Sequence, residues 1–255
     1  MSTDLPGPER VLAPEARVRV RLNDGTAFGW SCTPQDLSVL ALGWLVCEGV
    51  VRTPDEIEDL TEHDAEDGFA ACLSVRLAPQ ALARWKPAPP GSGEFAVGPS
   101  ALFAALGQEP GRRGPESPEL RTLLKDRDRV AGWFREMFDR ASIRSSVGGV
   151  HTGGLVVDGA LAHVAEDVSR HHVVDRLAGS AFLDGTLGRD TIFLLSARIS
   201  GAMAVKACRA GVGALVSRSV PTELAATVAG SHGLVLVGRA RREVPHYYWP
   251  TGEAE

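Results

Sequence analysis

The sequence predicts an α/β protein: a layered sheet flanked by helices, preceded by a small α+β region. Two patterns predict it. From Ser145 onward short apolar strands alternate with short helices, which gives a layered domain with a mainly parallel or mixed sheet. Between residues 17 and 76 a hairpin, an apolar helix and a further strand follow one another. Composition agrees, since 44% hydrophobic and 23% charged residues is the ordinary globular balance. At 255 residues, roughly 70–75% of the unfolded surface can be buried without a disulfide or metal staple.

Arg17–Leu22 alternates polar and apolar residues as a half-buried strand does, Asn23-Asp24-Gly25-Thr26 is a tight turn, and Ala27–Ser31 runs back as its partner. Thr33 suits a helix N-cap, Pro34 the first helical position and Asp36 the positive helix end, so a helix over Leu37–Cys47 follows. That helix is apolar over most of its surface, which predicts burial. Residues 70–76 read as a strand. Lys86–Gly93 is a proline- and glycine-rich boundary, Pro99–Leu106 a short helix, and Glu109–Pro118 an exposed linker. Apolar positions from Leu120 to Phe138 recur at helical spacing. Beyond Ser145 the expected order is Leu155–Val157 and Leu161–Val164 around the turn Asp158-Gly159, a helix over Val168–Ala178, a strand at Thr191–Leu195, a helix over Ser200–Ala210 closed by Gly211, a strand at Ala214–Ser217, a helix begun by Pro221, and a strand at Leu234–Val237. The organisation read from this is a tail over 1–16, the small α+β region over 17–90, a loop and helical connector over 91–144, and the α/β region over 145–255.

Twenty-seven basic against 32 acidic residues give a net charge of −5, which offers no general attraction to nucleic acid or to an anionic membrane. The beginning of the chain lacks the basic patch and apolar core of a secretory signal, and no apolar run approaches the ~20 residues of a membrane span. Cys32, Cys47, Cys72 and Cys208 are scattered, with no CxxC and no histidine at zinc-finger spacing. The expectation is a cytoplasmic chain with neither a disulfide framework nor a metal site.

Polar residues gather in four segments beside the predicted strands: Ser145–Gly154, Glu166–His172, Ser196–Ser200 and Ser217–Thr222. In an open α/β sheet such segments meet at the strand ends, where ligands bind. Two of them feed helix N-termini, whose unpaired N–H groups attract anions, and Arg170, Arg198 and Arg218 add charge for a phosphate or carboxylate. Ser200, Pro221 and Thr222 equally suit plain helix caps. Among the histidines, His63, His232 and His246 read as solvated and His163 as a strand position, while His151 lies between glycine pairs where a side chain can enter a cleft. His171 and His172 stand about 100° apart on a helix, so only one of them faces a common site. Glu166, Asp167 or Asp175 could orient such a histidine as a general acid or base. No P-loop, H-E-x-x-H or G-x-S-x-G motif is present.

Together these segments resemble the formate dehydrogenase accessory sulfurtransferase (FdhD) family. Thr33–Leu37 through Glu48-Gly49-Val50 is similar to that family's TPxDLxxLAxGFLxxEGI stretch. Gly148-Gly149-Val150-His151 resembles its TGGxHAA loop, and Glu166–Leu177 its EDVGRHNAVDKL. Ser196-Ala197-Arg198-Ile199-Ser200 through Val205-Lys206-Ala207 resembles SGRISxExVxKA, and Ser219–Ala225 resembles SAPTxLA. The resemblance implies a cytidine-deaminase-like C-terminal region, a homodimer, and an activity in which sulfur from a cysteine desulfurase passes to the molybdenum cofactor of formate dehydrogenase. It implies molybdenum cofactor or guanine nucleotide as ligand, although the residues themselves name no cofactor. The relay needs a C-x-x-C loop, because the carrier must be a thiolate able to hold a persulfide. That loop aligns with Glu94–Gly98, placing Glu94 and Val97 where the cysteines belong. Ser169, His172, Ala197 and Ala202 also depart from the family pattern.

Three readings follow. The first is a repurposed enzyme acting on a small anionic or nucleotide-like molecule, with His151, His172, Asp167, Glu166 and Glu94 as its acid–base set. Its ligand contacts are Gly148, Gly149, Thr152, Arg170, His171, Ser196, Arg198, Ser219 and Thr222. The second is a non-catalytic accessory that binds molybdenum cofactor or guanine nucleotide. The third is a sulfur carrier using one of the four displaced cysteines.

Overall fold

The computed structural model describes residues 11–64, 67–85, 117–241 and 245–249. Strands β1 (Ala16–Leu22), β2 (Ala27–Cys32), β3 (Ile57–His63) and β4 (Ala71–Leu77) form a sheet ordered β2-β1-β4-β3, in which β1 and β4 are parallel. Helix α1 (Leu37–Cys47) lies between β2 and β3 in the chain. After the short helix α2 (Pro79–Leu82) come α3 (Pro118–Lys125), α4 (Arg127–Asp139) and α5 (Ser142–Ser146). The second sheet is built from β5 (His151–Val157), β6 (Ala160–Asp167), β7 (Ile192–Leu195), β8 (Ala214–Ser217), β9 (Val235–Gly238) and β10 (His246–Trp249), in the order β10-β9-β8-β7-β5-β6. Helices α6 (Arg170–Leu183), α7 (Gly201–Ala210) and α8 (Glu223–His232) connect its strands. The fold is mixed α/β, as the alternation of elements requires.

One continuous apolar core joins the inner face of the first sheet, α1, the α6–α7–α8 layer and one face of the second sheet; α3 and α4 cover the opposite face. Helix α1 is buried because it carries apolar residues on every side. Its approach to α6 is set by two glycines. A Cβ on Gly43 would fall 1.7 Å from Asp175 O, and one on Gly179 would fall 2.1 Å from Val39 O. Among the described residues no helix is long and apolar enough to cross a membrane.

Local expectations fail where tertiary contacts override a capping motif. Thr33 does not cap α1. The N-cap is Asp36, in the left-handed region at φ 42, and Thr33 is buried, its hydroxyl accepting from Val168 N at 3.2 Å. The helical pattern from Leu120 to Phe138 is two helices, because the Asp126 side chain accepts from Arg129 N and starts α4 anew. Pro221 does not begin α8; it bridges Ile199 in parallel register, and Thr222 is the N-cap. Strand β3, whose sequence IEDLTEH is mostly polar, shows no apolar alternation because it is an exposed sheet edge. The expected helix at Pro99–Leu106, Glu94 and the expected linker up to residue 116 lie outside the described residues, while Ser117 and Pro118, read as the end of that linker, cap and begin α3.

Candidate functional site at one end of the six-stranded sheet

Strand directions gather the predicted segments at one place. Strands β7, β8 and β9 are parallel, and β5 is antiparallel to both β7 and β6. The C-terminal ends of β6, β7, β8 and β9 and the N-terminal end of β5 therefore share one edge, where Asp167, Ser196, Arg218, Arg239 and His151 stand. Backbone contacts tie the loops together there. Thr152 N donates to Ser196 Oγ and Ser196 N to Thr152 O, both at 2.9 Å, and Ser217 Oγ donates to Ala197 O at 2.6 Å. Gly148 and Gly149, at φ 70 and 72, make the turn into β5 that a side chain would strain, and Gly149 is seated against Ala13 of the N-terminal segment.

Asp167 is the buried centre of this edge, with no exposed surface. One carboxylate oxygen accepts from Ser169 N at 2.8 Å and stands 3.4 Å from His172 Nδ1; the other accepts from Arg176 Nε at 2.9 Å and Thr33 N at 3.3 Å. Arg176 also donates to the Gln35 carbonyl, and to Thr33 O at 2.6 Å, which locks the chain before α1 onto α6. Burial works against ionising Asp167, but His172 and Arg176 outweigh it and hold the carboxyl below the usual aspartate range. His172 packs edge-on against Trp30 at 5.8 Å between ring centroids.

His171 turns away from its neighbour, as helical geometry requires, and its Nε2 lies 3.4 Å from the hydroxyl of Ser200, the N-cap of α7. Burial, then Arg170 and Lys206, push its pKa down to about 4, so it is a neutral imidazole near pH 7. Burial and Arg170 also lower the pKa of His151. The N-caps of α6 and α7, Ser169 and Ser200, make no side-chain cap bond, whereas Thr222 caps α8 by accepting from Ala225 N at 3.3 Å. Two helix N-termini thus keep uncapped first-turn amides beside the exposed Arg170 and Arg198.

The expected acid–base set does not assemble as a group. Glu166 is turned to the other face of the sheet, where its two oxygens accept from Ile143 N and Arg144 N, both at 2.8 Å, and cap α5. Asp175 does not orient His172; it is fully buried beneath α1 and binds Lys206 Nζ at 2.7 Å. Ser219 is held in the β8–α8 loop, its N–H donating to Ser217 Oγ at 2.9 Å. The segment Ser145–Gly154 is not one loop, since α5 ends at Ser146 and β5 begins at His151. Sequence reading missed the part played by Arg176, because an arginine nine positions after an acid becomes its partner only once the strand-to-helix turn is known.

Three of the four cysteines, Cys32, Cys47 and Cys72, are buried, and Cys208 is half-buried. Burial and then Asp167 push the Cys32 thiol up to about 12, and burial alone does the same for Cys208. Burial and then Asp175 raise Cys47 well above the ordinary thiol value, and Cys72 is buried. Among the described residues no three His, Cys, Asp or Glu side chains are grouped to hold a metal ion.

Comparison with known proteins agrees with this architecture. The FdhD/NarQ family model matches residues 13–253. Sulfur carrier protein FdhD of Methanothermobacter thermautotrophicus is 30% identical over 240 residues, covering 92% of this chain and 87% of that protein. The protein of the same name from Streptomyces avermitilis is 33% identical over 253 residues, covering 92% and 85%. The crystal structure of a putative formate dehydrogenase accessory protein from Desulfotalea psychrophila superimposes with a TM-score of 0.66 at 22% identity, over 92% of this chain and 86% of that one, and shares the fold. With its motifs in family order and nearly its whole length matched, the chain belongs to the FdhD/NarQ family.

Proposed function

We propose that this chain is a cytoplasmic accessory protein of formate dehydrogenase maturation that binds a phosphate-bearing small molecule, molybdenum cofactor or a guanine nucleotide, without relaying sulfur through its own thiols. The observation that carries this reading is the pair of uncapped helix N-termini, α6 and α7, beside Arg170 and Arg198. Unpaired amides at a positive helix end and exposed guanidinium groups are donors suited to phosphate oxygens. The absence of any CxxC in the sequence and the raised thiol pKa values argue against persulfide carriage. The reading includes a homodimer, which light scattering of the purified chain checks.

Calorimetric titration with guanosine diphosphate tests the binding reading. Saturable heat in the wild type, with affinity about tenfold weaker in Arg170→Ala and in Arg198→Ala, is the expected result. No heat at millimolar nucleotide would overturn it.

A second reading, an acid–base enzyme, is favoured by the placement of the His172 ring beside the buried Asp167 carboxylate, with Nδ1 standing 3.4 Å from it, a pairing that general acid–base catalysis uses. In that case any turnover detected in a substrate screen falls at least a hundredfold in His172→Ala. Unchanged turnover in that variant removes this alternative.

A further inference from the structure

Two guanidinium groups meet one aromatic ring on the face of the sheet opposite α6. Arg144 of α5 lies 4.9 Å and Arg218, just after β8, lies 5.5 Å from the centroid of Phe138 at the end of α4. Both side chains belong to exposed residues, and neither guanidinium meets a carboxylate among the described residues. The nearby acid Glu166 faces amides instead of a guanidinium: its two oxygens accept from Ile143 N and Arg144 N. Thr152 is paired across the strands with Glu166 and so shares its face of the sheet; its residue is 1% exposed, and its hydroxyl has no hydrogen-bond partner. Two guanidinium groups thus converge on one ring with no carboxylate paired to either among the described residues, so an anion that bridges them gains from both charges.

We infer that Arg144, Arg218 and Phe138 form a second anion site, distinct from the α6 and α7 N-termini, that takes a phosphoryl group. Stacking on Phe138 fixes the plane of each fork while leaving its N–H edges free to donate. A phosphoryl group has three charged oxygens and accepts from two forks at once, whereas a carboxylate is satisfied by one.

The inference stands apart from the nucleotide reading, and one titration separates them. Inorganic phosphate is titrated into the full chain at low salt and followed by calorimetry, with acetate as the carboxylate control. Two phosphate sites are expected in the wild type. Arg218→Ala and Arg144→Ala should each weaken one of them about tenfold and leave the other intact, while Arg170→Ala should affect only the other. Arg218→Lys keeps the charge but loses the fork, and Phe138→Leu keeps both arginines but loses the ring; each should give a several-fold loss at the same site with unchanged circular dichroism. Phosphate binding unaltered by Arg144→Ala and Arg218→Ala overturns the inference, and so does acetate binding as tightly as phosphate. Loss confined to Arg170→Ala sinks the inference while sparing the nucleotide reading; loss confined to the Arg144 and Arg218 variants does the reverse.

Discussion

Asp167 has no exposure and cannot exchange its partners for water, so the charge it carries depends on His172 and Arg176 beside it. Removing one member of a buried pair costs about 3–5 kcal/mol, because the other is left charged and unsolvated. Arg176→Leu should therefore lower stability by about that amount in urea unfolding at pH 7. The pH dependence has a definite sign. A carboxyl whose folded pKa lies below its unfolded value, ~3.9 for aspartate, adds stability that is fully present above the unfolded pKa and is lost as pH falls through the folded one. The gap between wild type and Arg176→Leu should accordingly narrow as unfolding is repeated at pH values below about 4. A gap that is constant from pH 7 to pH 3 would mean that Arg176 acts through packing alone.

The contact between α1 and α6 is one of backbone against backbone, and its sign can be decided from magnitudes. Gly→Ala inside a helix ordinarily gains about 1 kcal/mol of propensity. At Gly43 the added carbon would fall 1.7 Å from Asp175 O, a distance no side-chain rotation relieves. Forcing the helices apart costs at least about 1–3 kcal/mol, so the clash wins. Gly43→Ala and Gly179→Ala should both lower the thermal midpoint by several degrees, whereas Gly132→Ala in α4, with nothing within 4 Å of its Cβ position, should leave it unchanged or raise it. Neither close approach is visible in the sequence, where Gly43 merely interrupts an apolar run. What was legible there is the alternation of strands and helices, since period and turn chemistry are local. The capping of α1 and the splitting of the helix after Leu120 were not. At Thr33 a hydroxyl suited to a cap is engaged by Val168, 135 positions away, and no window of sequence contains both partners. The same holds at the site. The segments that meet at the sheet edge could be listed, because strand ends collect ligand loops, but the diversion of Glu166 to α5 and of Asp175 to Lys206 depends on which face each side chain takes.

Across the whole molecule, the two sheets do not have separate interiors. The apolar core runs without a break from Val20 and Leu73 in the first sheet, through Leu40 and Leu45 of α1, to Leu177 of α6 and Phe193 of the second. Polar contacts cross the same boundary. Lys206 of α7 binds Asp175 of α6 at 2.7 Å and Glu48, just after α1, at 3.4 Å; burial opposes its charge, but the two carboxylates outweigh that and raise its pKa. Arg209 adds a bond to Glu48 O at 3.1 Å. An α1 stripped of α6 would expose its apolar surface and take Glu48 from Lys206 and Arg209, so neither half gains by opening alone. Urea unfolding should therefore be a single transition. Trp30, Trp44 and Trp85 pack with Phe28 between the first sheet and α1, so tryptophan emission weights the N-terminal half. Far-UV circular dichroism, by contrast, is dominated by the helices after Pro118. The two probes should give coincident midpoints, and Asp175→Ala should move both together toward lower urea by an amount corresponding to about 3–5 kcal/mol. An emission change that precedes the loss of helix would show that the first sheet detaches while the second stays folded, and that the shared core does not couple the two halves.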